Sequence, residues 1–144
     1  MRVVDTVILA ALEATGVDIH DGYVETTTAG SNVVSYALPY AVYYSSIGDD
    51  DNPRMSGRKG RRSVFFTVTY VGRDRNQAKW AGEKIRDALQ GRRFTIPGHR
   101  SWLCDLEESQ RIRRDDDAVR PDGSPLFYGV DNYAISITLT PQGA

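Results

Sequence analysis

The chain has 144 residues, of which 40% are hydrophobic and 26% charged, a balance that fits one globular domain over residues 1–144. Its formal net charge of −1 excludes a global attraction to nucleic acid or to an anionic membrane. The single cysteine, Cys104, excludes an internal disulfide, and no run approaches the length of a membrane span or a signal peptide. We therefore expect a soluble chain from a reducing compartment, without an export signal.

The first segment has the apolar spacing of an amphipathic helix. One stripe is formed at positions i, i+3, i+4, i+7 and i+8 by Val4, Val7, Ile8, Ala11 and Leu12. Gly16 stands where such a helix would stop. Residues 17–38 have no clear period, and we expect a short extended piece followed by a loop over 26–32.

Two strand-like segments flank a long charged loop. The first follows Pro39 and covers Tyr40–Tyr44, and the second covers Ser63–Val71. In the second, Val64, Phe66, Val68 and Tyr70 alternate onto one face, and Phe65, Thr67, Thr69 and Val71 onto the other. These segments predict a long β-hairpin whose tip is the charged loop.

A second helix is predicted after residue 74. Asp74 is a plausible N-cap with Gln77 as its capping-box partner, and Gly91 stands where a helix-ending glycine belongs. The buried stripe is predicted to consist of Ala78, Ala81, Ile85, Ala88 and Leu89.

The last third of the chain alternates between extended segments and turns. Extended segments are expected at Arg93–Ile96 and Trp102–Arg113, separated by a turn at 97–98. The run 115–117 and the segment 121–125 are predicted loops. A closing strand then has Tyr133, Ile135, Ile137 and Leu139 facing inward. The order of elements predicts an α+β fold, a mainly antiparallel sheet with two helices packed on one face.

No catalytic constellation is visible in the sequence. His20 and His99 fall in predicted turns without partners at ligand spacing, and two histidines are too few for a zinc site. Cys104 has apolar neighbours and is expected to be a buried, inert thiol. The aspartate runs lack a calcium-loop pattern. We expect no metal, no cofactor and no enzymatic activity, with a small enzyme using Cys104 or His99 as the alternative.

The basic residues of the charged loop leave a second alternative open. The segment 54–62 is rich in arginine and glycine, which is typical of a local phosphate-contacting patch. It has neither the spacing nor the following helix of a phosphate-binding loop. A nucleic-acid-binding module that uses residues 54–62 therefore remains a competing prediction.

The order of segments resembles one known family. A helix is followed by Pro39–Tyr44, a polar loop, the strand Phe65–Gly72, the helix Asn76–Leu89, an acidic strand and the closing strand Tyr128–Leu139. Over roughly residues 3–140 this order is similar to that of the tail terminator (tail completion, minor tail) proteins of long-tailed bacteriophages. The resemblance implies a closed homo-oligomeric ring, commonly a hexamer, and no catalytic residues.

The resemblance also implies a location and partners. The ring would be assembled in the host cytoplasm and lie in the virion at the head-proximal end of the tail. There it would cap the tail tube protein, end tail polymerisation and dock to the head-neck connector or stopper protein, with DNA close by in the lumen and no membrane. A head-side neck or stopper protein is the alternative within virion structure.

Closed rings need two different complementary surfaces on each subunit, and charge pairing sets their register. The charged hairpin tip and the second aspartate run are the predicted interface. Its residues are Asp49, Asp50, Asp51, Arg54, Arg58, Lys59, Arg61, Arg62, Asp115, Asp116 and Asp117.

Overall fold

The computed structural model describes residues 2–22, 37–46, 49–50 and 62–139. Helix α1 covers Arg2–Glu13 and buries one stripe, Val4, Ile8 and Leu12. The predicted partners Val7 and Ala11 are half-buried against the same cluster. The hydroxyl of Tyr43 donates a 2.7 Å hydrogen bond to Asp5 Oδ1, which fixes α1 to the neighbouring strand.

Helix α2 covers Arg75–Leu89, and its sequence-predicted caps are confirmed. Asp74 has extended backbone geometry, and its Oδ1 accepts a 2.8 Å hydrogen bond from the Gln77 amide. The Gln77 side chain in turn accepts from the Arg73 amide at 2.8 Å, one residue before the usual capping-box position. Gly91 has a φ of 70°, the left-handed conformation that commonly ends a helix.

The strands are β1 (Asp18–Asp21), β2 (Tyr40–Ser45), β3 (Asp49–Asp50), β4 (Arg62–Gly72), β5 (His99–Ser101), β6 (Asp105–Ser109), β7 (Arg113–Val119) and β8 (Pro125–Leu139). They join in the order β1-β2-β4-β8-β5, with β3 also beside β4, and β6 and β7 also beside β8. β1 pairs parallel with β2. The neighbours of β4 and of β8 run antiparallel to them. Two helices and this sheet confirm the predicted α+β class. The hairpin tip at 51–61 lies outside the described residues.

The predicted alternation is confirmed for β4 and, in β8, for Tyr133, Ile135 and Ile137, and it places the main core between the sheet and the helices. The side chain of Leu139 lies outside the described part of the chain. Val64, Phe66, Val68 and Tyr70 share one buried cluster with the inner stripes of α1 and α2. A smaller cluster lies on the opposite face, formed by Tyr40, Val42, Val71 and Leu126. The rest of that face has no helix over it among the described elements, since both helices contribute to the first cluster.

The sequence-based assignment of four segments was wrong. The run 115–117 is not a loop but part of β7, which pairs with β8 at Arg114↔Phe127 and Asp115↔Leu126. Long-range pairing overrides the low strand propensity of aspartate there, because the charged side chains stay half-buried or exposed to solvent. His20 and His99 lie in β1 and β5 rather than in turns, and Arg93–Ile96 forms no strand.

Candidate functional site

The residues predicted as one interface are separated along the sheet. β3 places the backbone of Asp49 and Asp50 opposite Ser63 and Arg62. The remaining loop residues, Asp51, Arg54, Arg58, Lys59 and Arg61, lie outside the described residues.

The second aspartate run lies at the other end of the long strand β8. Arg62 pairs with Ile137, whereas Asp115 pairs with Leu126. Eleven positions along a strand correspond to roughly 35 Å, so the two aspartate runs do not form one site on a single subunit.

An open concavity lies next to the Arg62 end of β4, on the face of the sheet turned away from the helices. It has a volume of about 580 Å³. Its floor is formed by the cross-strand pairs Ser63↔Ser136 and Phe65↔Ala134 of β4 and β8. Its wall consists of Trp102, Leu103, Asp105 and Glu107 from the β5–β6 link and from β6. Phe65 is 43% exposed and Leu103 is 51% exposed, so two large apolar side chains of the same concavity remain open to solvent.

Backbone hydrogen bonds hold the wall of this concavity in place. The Trp102 amide donates to the Ser136 carbonyl at 2.9 Å, which binds the β5–β6 link to β8. The Cys104 amide donates to the Arg92 carbonyl at 2.8 Å, and its carbonyl accepts from the Gly91 amide at 2.8 Å. These two hydrogen bonds join Cys104 to the residues that follow α2. Cys104 faces inward and is buried, whereas Leu103 faces outward and is exposed.

The environment of Cys104 agrees with the predicted buried thiol. The side chain is fully buried, and burial followed by the charge of Asp105 raises its pKa to about 12. The thiol is therefore protonated near neutral pH and lacks the thiolate that nucleophilic chemistry requires.

The two histidines have local structural contacts. His20 Nε2 lies 3.2 Å from Asp18 Oδ2, and His99 Nδ1 lies 2.9 Å from the Pro97 carbonyl oxygen. Within the described ranges, no three histidine, cysteine or carboxylate side chains are grouped so that they could hold a metal ion. No helix in the same ranges has the length and apolar character needed to cross a membrane.

A buried polar cluster around Asp131 was missed by sequence reasoning. Its carboxylate accepts hydrogen bonds from Ser109 at 2.6 Å, from Tyr133 at 3.3 Å and from Arg86 at 3.2 Å. Burial, followed by the charge of Asp131, raises the pKa of the Tyr133 hydroxyl, which therefore stays protonated and donates. Because every described donor around the carboxylate belongs to α2, β4, β6 or β8, the cluster joins these elements and leaves little access for a substrate.

The sequence contains a signal for the buried position of Asp131 and another for the outer position of Phe65. The inward alternation Tyr133, Ile135, Ile137 extends back to Asp131, which marks it as a buried carboxylate in need of partners. The alternation of β4 had already placed Phe65 on the outer face. No local pattern showed that Leu103 would line the same concavity.

Comparison with known proteins identifies one family. The family described as "Tail completion protein gp17" matches residues 5–121, which includes most of α1, all of α2 and the strands from β1 to β7. This match confirms the resemblance that the order of elements indicated. No match is found among curated proteins.

Proposed function

Given that the chain belongs to the tail completion protein gp17 family, we propose that it forms a ring that caps the phage tail tube, ends tail polymerisation and joins the tail to the head-side neck. Membership of the family makes the chain a structural component of a bacteriophage tail. The observation that carries the finer proposal is the extent of the match, residues 5–121, which takes in most of α1, all of α2 and the strands β1 to β7 and ends before β8.

The surface of the molecule supports a role in protein contacts. Phe65 and Leu103 line an open concavity on a sheet face that no described helix covers. Exposed apolar patches of this kind mark protein interaction sites. The buried thiol of Cys104 and the hydrogen-bonded, buried carboxylate of Asp131 favour a structural role over catalysis.

The proposed partners follow from the position in the virion. One side of the ring contacts the last ring of tail tube protein, and the other contacts the connector or stopper of the neck, with DNA in the lumen. The charged segment 49–62 is proposed to reach a neighbouring subunit or the tube. Its two ends, β3 and the start of β4, are held together at one end of the sheet.

Deletion of the gene from its phage tests the proposal. Electron micrographs of the lysate should show tails of uncontrolled length that are not joined to heads, and supply of the wild-type chain in trans should restore both length and joining. Finished tails of normal length beside filled heads would instead identify a head-side neck protein and overturn the proposed position.

The oligomeric state is tested on assembled particles and on the purified chain. Native mass spectrometry should give one discrete closed oligomer at a multiple of 16.0 kDa, released from particles if not already formed in solution. An open-ended series of masses would contradict a closed ring.

A further inference from the structure

We propose that the outer face of the sheet, the side that contains Phe65 and Ala134, binds the basic segment 52–61 of a neighbouring copy of the chain. This inference rests on the proposed ring and names an acceptor surface together with its occupant. The acceptor consists of described residues of β2, β4, β6, β8 and the β5–β6 link. The segment 52–61 lies outside the described residues, and its amino-acid composition identifies it as the occupant.

Exposed apolar side chains are concentrated on this outer face. In the described part of the chain, four large apolar residues are exposed, and three of them belong here: Tyr44 at 49%, Phe65 at 43% and Leu103 at 51%. Tyr44 pairs with Thr67, which alternates onto the same side of β4 as Phe65. Exposed apolar patches mark protein contacts, so this face is expected to be covered in the assembled tail.

The acidic side chains of β6 border the same apolar patch. Asp105 pairs with Ala134 and Glu108 pairs with Asn132, which places both carboxylates on the outer side of the sheet. Glu107 is the extra residue where the register of β6 shifts, and it lines the concavity. Such bulges redirect side chains towards functional surfaces. All three acidic residues are exposed.

The described cross-strand rows around these carboxylates contain no basic residue. The rows through Asn132, Ala134 and Ser136 of β8 reach, on β4, the uncharged Thr67, Phe65 and Ser63. Arg100 pairs with Thr138, one row beyond, and it does not line the concavity. A face of this kind repels nucleic acid and attracts basic protein segments.

A chain of hydrogen bonds orients one of the carboxylates. Thr67 Oγ1 donates to Asn132 Oδ1 at 2.7 Å, and Asn132 Nδ2 donates to Glu108 Oε2 at 3.5 Å. The three side chains belong to three neighbouring strands, β4, β8 and β6. A carboxylate that is already oriented loses less conformational freedom when it binds a cation, which favours binding at this position.

The segment 52–61 has the complementary chemistry. Its methionine can adapt to the irregular apolar surface of the concavity, where it would displace water from Phe65 and Leu103. Its arginines can form paired hydrogen bonds with carboxylates. The segment has no acidic residue, and the residues used here are Arg54, Met55, Arg58, Lys59 and Arg61.

The position of this segment favours a neighbouring copy as its acceptor. It follows β3, in which Asp49 pairs with Ser63 on the edge of β4 opposite β8. The acidic start of the loop is therefore held on its own sheet, whereas the acceptor carboxylates lie on β6, on the far side of β8. A donor at one edge and an acceptor near the other give a head-to-tail contact, and such contacts close into rings.

Cysteine cross-linking between two kinds of copy tests the contact in assembled particles. One copy carries Met55→Cys and the other carries Glu107→Cys, so that the remaining basic and acidic residues are retained, and the native Cys104 is buried. A short bifunctional maleimide should give a linked species at twice 16.0 kDa only when both variants are present. Met55→Cys mixed with Thr6→Cys, an exposed position on α1, is the matched control and should give none.

Exchange of charges across the contact gives a second test. Glu107→Arg with Glu108→Arg should lower the yield of infectious particles at least about tenfold, because like charges then face each other. Addition of Arg58→Glu with Lys59→Glu should restore most of the yield, although this second pair alone impairs it. Failure of the combined variant to recover would show that the two sets of charges do not meet and would overturn the inference.

An acidic pair on α2 is the matched control for the charge exchange. Glu83→Arg with Asp87→Arg alters two exposed acidic residues away from the outer face and should leave the yield unchanged. Thermal unfolding of each purified variant shows whether the fold is retained, as expected for exposed positions. A loss of yield with the α2 pair equal to that with the β6 pair would contradict a specific acceptor.

The remaining outcomes separate this contact from the proposed function. A link that forms only within chains carrying both cysteines, or a link from position 107 to a protein of different mass, would identify another occupant and overturn the inference. Absence of mixed links beside uncontrolled tail length in the null mutant would overturn the contact and leave the proposed function standing. Mixed links together with normal tail length in the null mutant would do the reverse.

Discussion

Arg86 of α2 and Asp131 of β8 form an ion pair in which the two side chains differ sharply in exposure. Arg86 Nη2 lies 3.2 Å from Asp131 Oδ2, and the carboxylate side is fully buried while the arginine side chain is 43% exposed. The same Nη2 donates to Ser109 Oγ at 3.0 Å, and Ser109 donates to the carboxylate. The pair therefore fastens α2 to the sheet and compensates a buried negative charge.

Loss of the guanidinium should destabilise the fold. Arg86→Ala leaves the Asp131 carboxylate with only the neutral donors Ser109, Tyr70 and Tyr133. We expect the free energy of unfolding to fall by about 1–3 kcal/mol, the range for removing one partner from a buried polar group. Urea denaturation measures the change. Lys84→Ala, an exposed lysine on the same helix, should change stability by less than about 0.5 kcal/mol, and equal effects of the two variants would refute this role of Arg86.

Gly129 is required because Tyr70 occupies the space beside it. A Cβ at Gly129 would lie 2.5 Å from three atoms of the Tyr70 side chain, and one at Gly82 of α2 would lie 2.8 Å from the same ring. The ring is held from both sides, so it has little room to give way. Gly129→Ala should destabilise the chain by about 1–3 kcal/mol through overpacking.

A double-mutant cycle gives the control for this prediction. Tyr70→Leu shortens the side chain that the new methyl group would meet. Gly129→Ala should therefore cost less in the Tyr70→Leu background than in the wild type, a non-additive result expected for residues in contact. Additive effects, measured by thermal or urea unfolding, would show that Tyr70 is not the obstacle.

Local patterns predicted the parts of the fold in which neighbouring residues decide the structure. The alternation of Phe65 and Phe66 sufficed to assign the faces of β4, and Asp74 and Gly91 marked the ends of α2. The strand β7 could not be predicted this way, because Arg113–Asp117 has few residues that favour strands and pairs only through β8.

The candidate surface depends on contacts between distant segments. Phe65 and Leu103 lie far apart in sequence, and both line the concavity because β8 pairs with β4 on one side and binds the Trp102 amide on the other. The types of the side chains alone did not predict which residues of β8 lie opposite β4 and the β5–β6 link. The acidic and basic residues of segment 49–62 were visible in the sequence. The separation of Arg62 from Asp115 along β8 was not.

Cys104 should resist thiol reagents in the folded protein. Its pKa is raised from 9.0 to about 12 by burial and then by Asp105, so the folded state retains the proton between those values while the unfolded state loses it. Stability contributed by this group is therefore present below pH 9 and is lost as pH rises towards 12. Alkylation followed by mass spectrometry should be slow in buffer and fast in urea. Rapid modification of the folded chain at pH 8 would contradict the buried position.

Reversal of the basic charges tests the segment 49–62 as an assembly surface. The variant carries Arg58→Glu, Lys59→Glu, Arg61→Glu and Arg62→Glu. We expect it to impair ring formation or head–tail joining, because like charges placed against an acidic surface repel and correct orientation is lost. The monomer should keep its thermal unfolding temperature, since Arg62, the one of these four residues that lies in a described strand, is only half-buried.

The measurements are the yield of infectious particles after complementation and the oligomer mass of the purified variant. Lysine in place of the same arginines, with Lys59 unchanged, is the matched control, because it keeps the charge while it removes the planar guanidinium groups. Normal assembly of the glutamate variant would remove this segment from the interface. Failure of both variants would indicate arginine-specific hydrogen bonding rather than charge pairing at this surface.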